Sequence, residues 1–201
     1  MVLEMFLTGR LATLRPVGPD DYEPLFQWSL IMPPHHALAL RTPPTWFPDL
    51  VNAVESMIGT SMVLVLGDDH FNRVGCAVLF EMNPLDRHTH LDLFAISDCP
   101  TMVVMEGWLL LIDHVFAWFP VSRIYRRLPT YANLDGPIAG SQGFEEEGCL
   151  KEHIWYEGKY WDTRILSLKR ERWTSQREIY IDNLMIQAQY EAPHRGDPDA
   201  Q

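Results

Sequence analysis

A chain of 201 residues, 47% hydrophobic and 21% charged, has the length and composition of one domain with a full hydrophobic core. Its formal net charge of −11 disfavours general binding to phosphate backbones, so nucleic acid is an unlikely partner and a cationic one is favoured. Three cysteines at wide spacing (Cys76, Cys99, Cys149), with no Cys-x-x-Cys, fit neither a disulfide framework nor a zinc site.

The opening "MVLEMFLTGR" carries Glu4 inside its apolar run and has no basic start, which makes a poor signal peptide. No uninterrupted apolar stretch reaches membrane-spanning length, so a cytoplasmic protein without a membrane partner is expected.

Arg10 to Val17 alternates apolar and polar residues and predicts a strand; "GPDDYEPLFQWSL" then places acidic residues where a helix start favours them. "TPPTWFPDLVNAVESMIGT" predicts a second, amphipathic helix. "SMVLVLGDD", "RVGCAVLFEM" and "HTHLDLFAIS" follow as three strands of an antiparallel meander, separated by turn formers. "TMVVMEGWLLLIDHVFAWF" is apolar on more than one face and suits a buried helix that Pro120 stops. "SRIYRRLPTY" returns as a strand, and the segment up to Trp173 forms two strands around a Glu157-Gly158 hairpin turn. Helical spacing of Ile181, Leu184, Met185 and Ala188 predicts an added helix before a disordered tip.

This order, with "LRPV" in the first strand and Gly143-Phe144, Glu147-Gly148, Lys151, Gly158, Tyr160, Asp162, Leu166 and Trp173 at the end, resembles the GNAT superfamily of N-acyltransferases. The spacing of the terminal residues resembles the ribosomal-protein and protein N-terminal acetyltransferase branch. The resemblance implies an α/β GNAT fold over residues 1–173, with a mixed, mostly antiparallel sheet flanked by helices. Residues 174–201 would form a C-terminal extension that can dock on a partner or on a second copy. It also implies transfer of an acyl group, acetyl being the expected one, from acetyl-CoA or another pantetheine thioester to a small-molecule or peptide amine. No metal is implied.

Against that family pattern, the loop that should hold the cofactor pyrophosphate reads "SDCPTMVVMEG", without the usual glycines and basic residue. Pro100 removes an amide donor and branched side chains obstruct close backbone approach. Thr101 is the candidate cap and residual anion site; Phe94, Ala95 and Ile96 are the backbone expected to cradle the pantetheine arm, and Asn133 is expected to orient it. The family's general-acid tyrosine position falls on Ala139, which leaves Tyr131 or Ser141 as a substitute acid, or each as a structural residue.

His88, His90 and Asp92 alternate along one strand and share a face, so Asp92 with His90 is the candidate general base; a solvated polar row explains the same alternation. His35 and His36 fall where the resemblance places an acceptor wall, or form an ordinary proline-stiffened loop. Trp155 and Tyr160 are candidate acceptor-site aromatics, or core packing. Two alternatives to free CoA chemistry stay open: a carrier-protein or aminoacyl-tRNA donor, and a non-catalytic binding or assembly module.

Overall fold

The computed structural model describes residues 7–33, 35, 36, 47–58, 61–70, 72–132 and 143–191. The strands are β1 (Leu7–Thr8), β2 (Ala12–Pro16), β3 (Met62–Asp68), β4 (Arg73–Asn83), β5 (His88–Ala95), β6 (Arg123–Pro129), β7 (Glu145–Tyr156) and β8 (Lys159–Lys169). The helices are α1 (Tyr22–Ile31), α2 (Phe47–Ile58), α3 (Thr101–Trp118) and α4 (Arg170–Glu191). All eight strands form one sheet in the order β1-β2-β3-β4-β5-β6-β8-β7.

Neighbours pair antiparallel except β5 and β6, which are parallel. That exception positions the site. The parallel ladder holds only His88, Thr89 and His90 against Arg123, Ile124 and Tyr125, and then stops. Beyond it, β5 stays paired with β4 as far as Ala95, and β6 stays paired with β8 as far as Pro129. The two halves of the sheet therefore splay apart past His90 and Tyr125.

Period-two alternation sends successive β5 side chains to opposite faces. Leu91 and Leu93 join the core formed with α3, which also takes in Trp173 of α4; Phe94 packs against the cluster formed with α1 and α2. By length and composition α3 is apolar enough to cross a membrane, yet most of it is buried against this sheet. The last turn of β8 runs directly into α4, so Trp173, expected at the end of a strand, lies on a helix and the boundary drawn after it falls inside that helix. Asp113 of α3 ties α4 down, accepting hydrogen bonds from Trp173 Nε1 at 2.8 Å and from the Arg177 guanidinium.

Two buried carboxylates hold the other end of the sheet. Glu106 of α3 accepts the backbone N–H groups of Arg10, Leu11 and Ala12, which fixes the β1–β2 turn on α3. Asp21, 1% exposed, accepts both arms of Arg15 at 2.6 Å, Arg73 Nε at 2.7 Å and the Gly18 amide. Burial alone would raise the Asp21 carboxyl, but these donors outweigh it and hold the group down at about 2.

At the β7–β8 turn, Glu157 and Gly158 have φ of 49° and 79°, the left-handed pair that a tight hairpin of this kind requires.

Candidate functional site

The chain leaving α1 turns at Pro33, where the His36 amide donates to the Pro33 carbonyl, and this turn carries two histidines onto the α1–α2 face of the splay. His36 Nδ1 lies 3.0 and 3.1 Å from the two oxygens of Asp92, and both side chains are largely buried. A carboxylate only accepts, so this contact places a proton on Nδ1, and in the neutral imidazole Nε2 is then the nitrogen with the lone pair. Among the described residues Nε2 has no hydrogen-bond partner. The edge of the His36 ring packs against Phe94 with centroids 5.4 Å apart, which fixes its plane.

His35 stacks obliquely on His36 at 4.3 Å and places Nδ1 2.9 Å from the Tyr131 hydroxyl. Burial, reinforced by the neighbouring His36, pushes His35 down to about 4, so its ring is neutral at physiological pH. Burial likewise pushes the Tyr131 phenol up to about 12 and keeps it protonated. The Tyr131 ring continues the row onto Tyr156 at 4.5 Å and Trp161 at 5.4 Å. Lys159 Nζ sits 3.6 Å over the Trp161 ring.

On the α3 face the splay holds a different group. Arg126 is the first residue of β6 past the parallel ladder, is 9% exposed, and lays its guanidinium 4.1 Å above the Trp108 ring and 5.7 Å from that of Phe144. Burial lowers it to about 10, against the pull of the Asp92 carboxylate, so it remains a cation.

Asp92, His36, His35 and Tyr131 are thus brought together. His90 is not part of that group, and this corrects its expected partnership with Asp92. It is stacked on Tyr125 at 5.5 Å with Nε2 3.2 Å from Glu81, and burial lowers its pKa against the pull of Glu81. Asp92 takes its histidine from a distant loop instead.

Thr101 does not cap α3: Pro100 occupies the cap position without a side-chain cap bond, and the amides of Val103 and Val104 both return to its carbonyl. Only the Thr101 and Met102 amides remain at that helix start. Of the backbone expected to cradle a pantetheine arm, Phe94 and Ile96 are turned towards β4. The Ile96 amide is bonded to Val74, so alternation turns the backbone groups of Leu93 and Ala95, not those of Phe94 and Ile96, towards β6. Asn133 lies outside the described residues.

Trp155 and Tyr160 pack on each other at 4.9 Å and are 58% and 61% exposed. β8 alternates from Leu168 and Leu166, which face α3, down to Tyr160, so Tyr160 and its partner Trp155 fall on the face away from Tyr131. Tyr156 and Trp161, each one residue along, are the aromatics that reach it. Arg126 was open to discovery from sequence, because a charge between Ile124 and Leu128 sits at an inward position. Among the described residues no group of three or more His, Cys, Asp or Glu is placed to hold a metal.

No protein-family model matches the sequence, and no curated protein matches it. Solved structures do. A GCN5-related N-acetyltransferase from Brucella melitensis superposes with a TM-score of 0.71 at 17% identity, over 98% of this chain and 90% of that one.

The chain has the GNAT fold.

A spermidine N-acetyltransferase from Vibrio cholerae, crystallised with CoA and spermine, shares that fold with a TM-score of 0.69 at 19% identity, over 81% of this chain and 98% of its own. The same enzyme is also known as a dodecamer, with a TM-score of 0.66 at 19% identity over 81% and 95% of the two chains.

Proposed function

We propose that this GNAT-fold chain is an N-acyltransferase that moves an acetyl group from a pantetheine thioester, such as acetyl-CoA, to an amine. The observation that carries the reading is the Asp92–His36 pair at the edge of the β5–β6 splay. An amine nitrogen attacks the thioester carbonyl, forms the C–N bond and loses a proton, and the C–S bond breaks. His36 Nε2 takes that proton, while Asp92 holds the ring and stabilises the imidazolium that forms.

The acceptor approaches from the α1–α2 face. Tyr131, Tyr156 and Trp161 supply aromatic surface there for an alkylammonium, and the net charge of −11 draws cations to the protein. Tyr131, bonded to His35, belongs to this wall and steadies the histidine pair, a role distinct from that of thiolate acid. Spermine, held by the similar Vibrio enzyme, is the first acceptor to try.

A second reading, a carrier-bound pantetheine donor, is favoured by the start of α3, where Pro100 and two returning amides leave little to hold a pyrophosphate. An aminoacyl-tRNA donor is disfavoured because Arg123 and Arg127 are paired with Glu147 and Glu81, and Arg126 is buried. Titration with acetyl-CoA and, separately, with acetyl-pantetheine tests both. A ligand at a hundred times its Kd adds about 2.7 kcal/mol of stability in a thermal shift. Binding of neither thioester at millimolar concentration overturns the transferase reading.

A further inference from the structure

Resting on the acyl-transfer reading, we propose that Arg126 is a catalytic residue: its guanidinium, held on the donor side of the splay, stabilises the thiolate that leaves the thioester.

Arg126 carries its positive charge in the core, where desolvation is costly and partners hold it in place. Trp108 and Phe144 give it aromatic faces, and the Asp92 carboxylate is close enough to oppose its loss of charge. It also acts electrostatically on His35, so its field reaches the histidine pair across the gap. Asp92 and His36 lie on the α1–α2 face, whereas Arg126 rests on α3. The gap thus has a base on one side and a fixed cation on the other. Acyl transfer separates charge in that sense: a proton leaves the amine on one side, and the electron pair of the broken C–S bond settles on sulfur at the other. The thiolate then departs as the anion, without a proton donor, and is protonated by solvent. A cation fixed in a dry site stabilises such charge far more than one in water. Where the resemblance places an acid tyrosine, the sequence has Ala139.

The test uses the whole chain and CoA itself. The thiol of CoA bound to the wild-type protein, followed by thiolate absorbance, titrates about one pH unit below that of free CoA. An unshifted or raised midpoint overturns the proposal without needing any variant. Arg126→Gln lowers turnover with acetyl-CoA by about 10²- to 10³-fold. With an aryl thioacetate, whose thiolate leaves unaided, the loss shrinks to about tenfold or less, and Arg126→Lys restores part of the acetyl-CoA rate. Equal loss with both donors in a folded Arg126→Gln protein overturns the proposal and makes the residue structural. Absence of amine acetylation by the wild type, alongside a low-titrating bound thiol, overturns the acyl-transfer reading and leaves the thiolate site standing. Failure of the wild type to bind either CoA or pantetheine overturns both.

Discussion

His36 and Asp92, 56 residues apart in the chain, meet with Nδ1 at 3.0 and 3.1 Å from the two carboxylate oxygens. The contact commits the imidazole to one tautomer and turns Nε2 into the available base. Replacing His36 by Gln is expected to lower kcat by at least about 10²-fold, and Asp92→Asn by roughly tenfold or more, since a positioned base contributes about 10²–10⁴-fold. Stopped assays of amine acetylation check both; unchanged turnover in either variant removes that residue from the mechanism.

Tyr131→Phe removes the hydroxyl that meets His35 but leaves the ring against Tyr156 and Trp161. It is expected to lower kcat by less than about tenfold, because positioning is lost and proton transfer is not. A loss of about 10³-fold, with a changed basic limb of the pH–rate profile, identifies Tyr131 as the acid instead.

The aromatic wall separates adjacent residues. Trp161→Ala is expected to raise KM for a cationic amine by roughly tenfold, the scale of a partly desolvated cation–π contact, whereas Trp155→Ala leaves it unchanged. Steady-state kinetics on the two variants decide the face.

His35 makes stability depend on pH. Its folded value of about 4 lies below its ordinary 6.5, so as pH falls the unfolded chain takes up the proton first. Stability present above pH 6.5 is therefore lost as pH drops from 6.5 towards 4. Thermal unfolding across that window should show the loss in the wild type and a flatter slope in His35→Asn.

Asp21 titrates in a lower window. Its carboxyl, ordinarily at 3.8, is held at about 2, so the stability it contributes is complete above 3.8 and lost between 3.8 and 2. Asp21→Asn leaves Arg15 and Arg73 facing a neutral group and should cost roughly 3 kcal/mol at neutral pH in denaturant unfolding.

The order of elements could be read in the sequence because hydrophobic period and turn residues are local properties. The buried helix between Pro100 and Pro120, the meander and the Glu157-Gly158 turn all appear as expected. What could not be read is contact between distant segments. Asp92 is legible as a candidate base, but the sequence points to a histidine on its own strand, because strand alternation is the only proximity a sequence displays. The register of a hairpin decides its faces, and one residue exchanges them. Trp155 and Tyr160 could therefore not be told from Tyr156 and Trp161, the pair that reaches Tyr131. In the sequence Arg126 reads as one member of the basic run Arg123, Arg126 and Arg127, because burial depends on what α3 brings beneath it.

Amine-dependent release of free thiol from acetyl-CoA, followed with wild-type protein, His36→Gln and a panel of amines that includes spermine, bears on the proposed transferase most directly. Saturable release that requires the amine and falls at least about 10²-fold in His36→Gln is the expected result. No amine-dependent release from either acetyl-CoA or acetyl-pantetheine, or release that His36→Gln leaves intact, would contradict it.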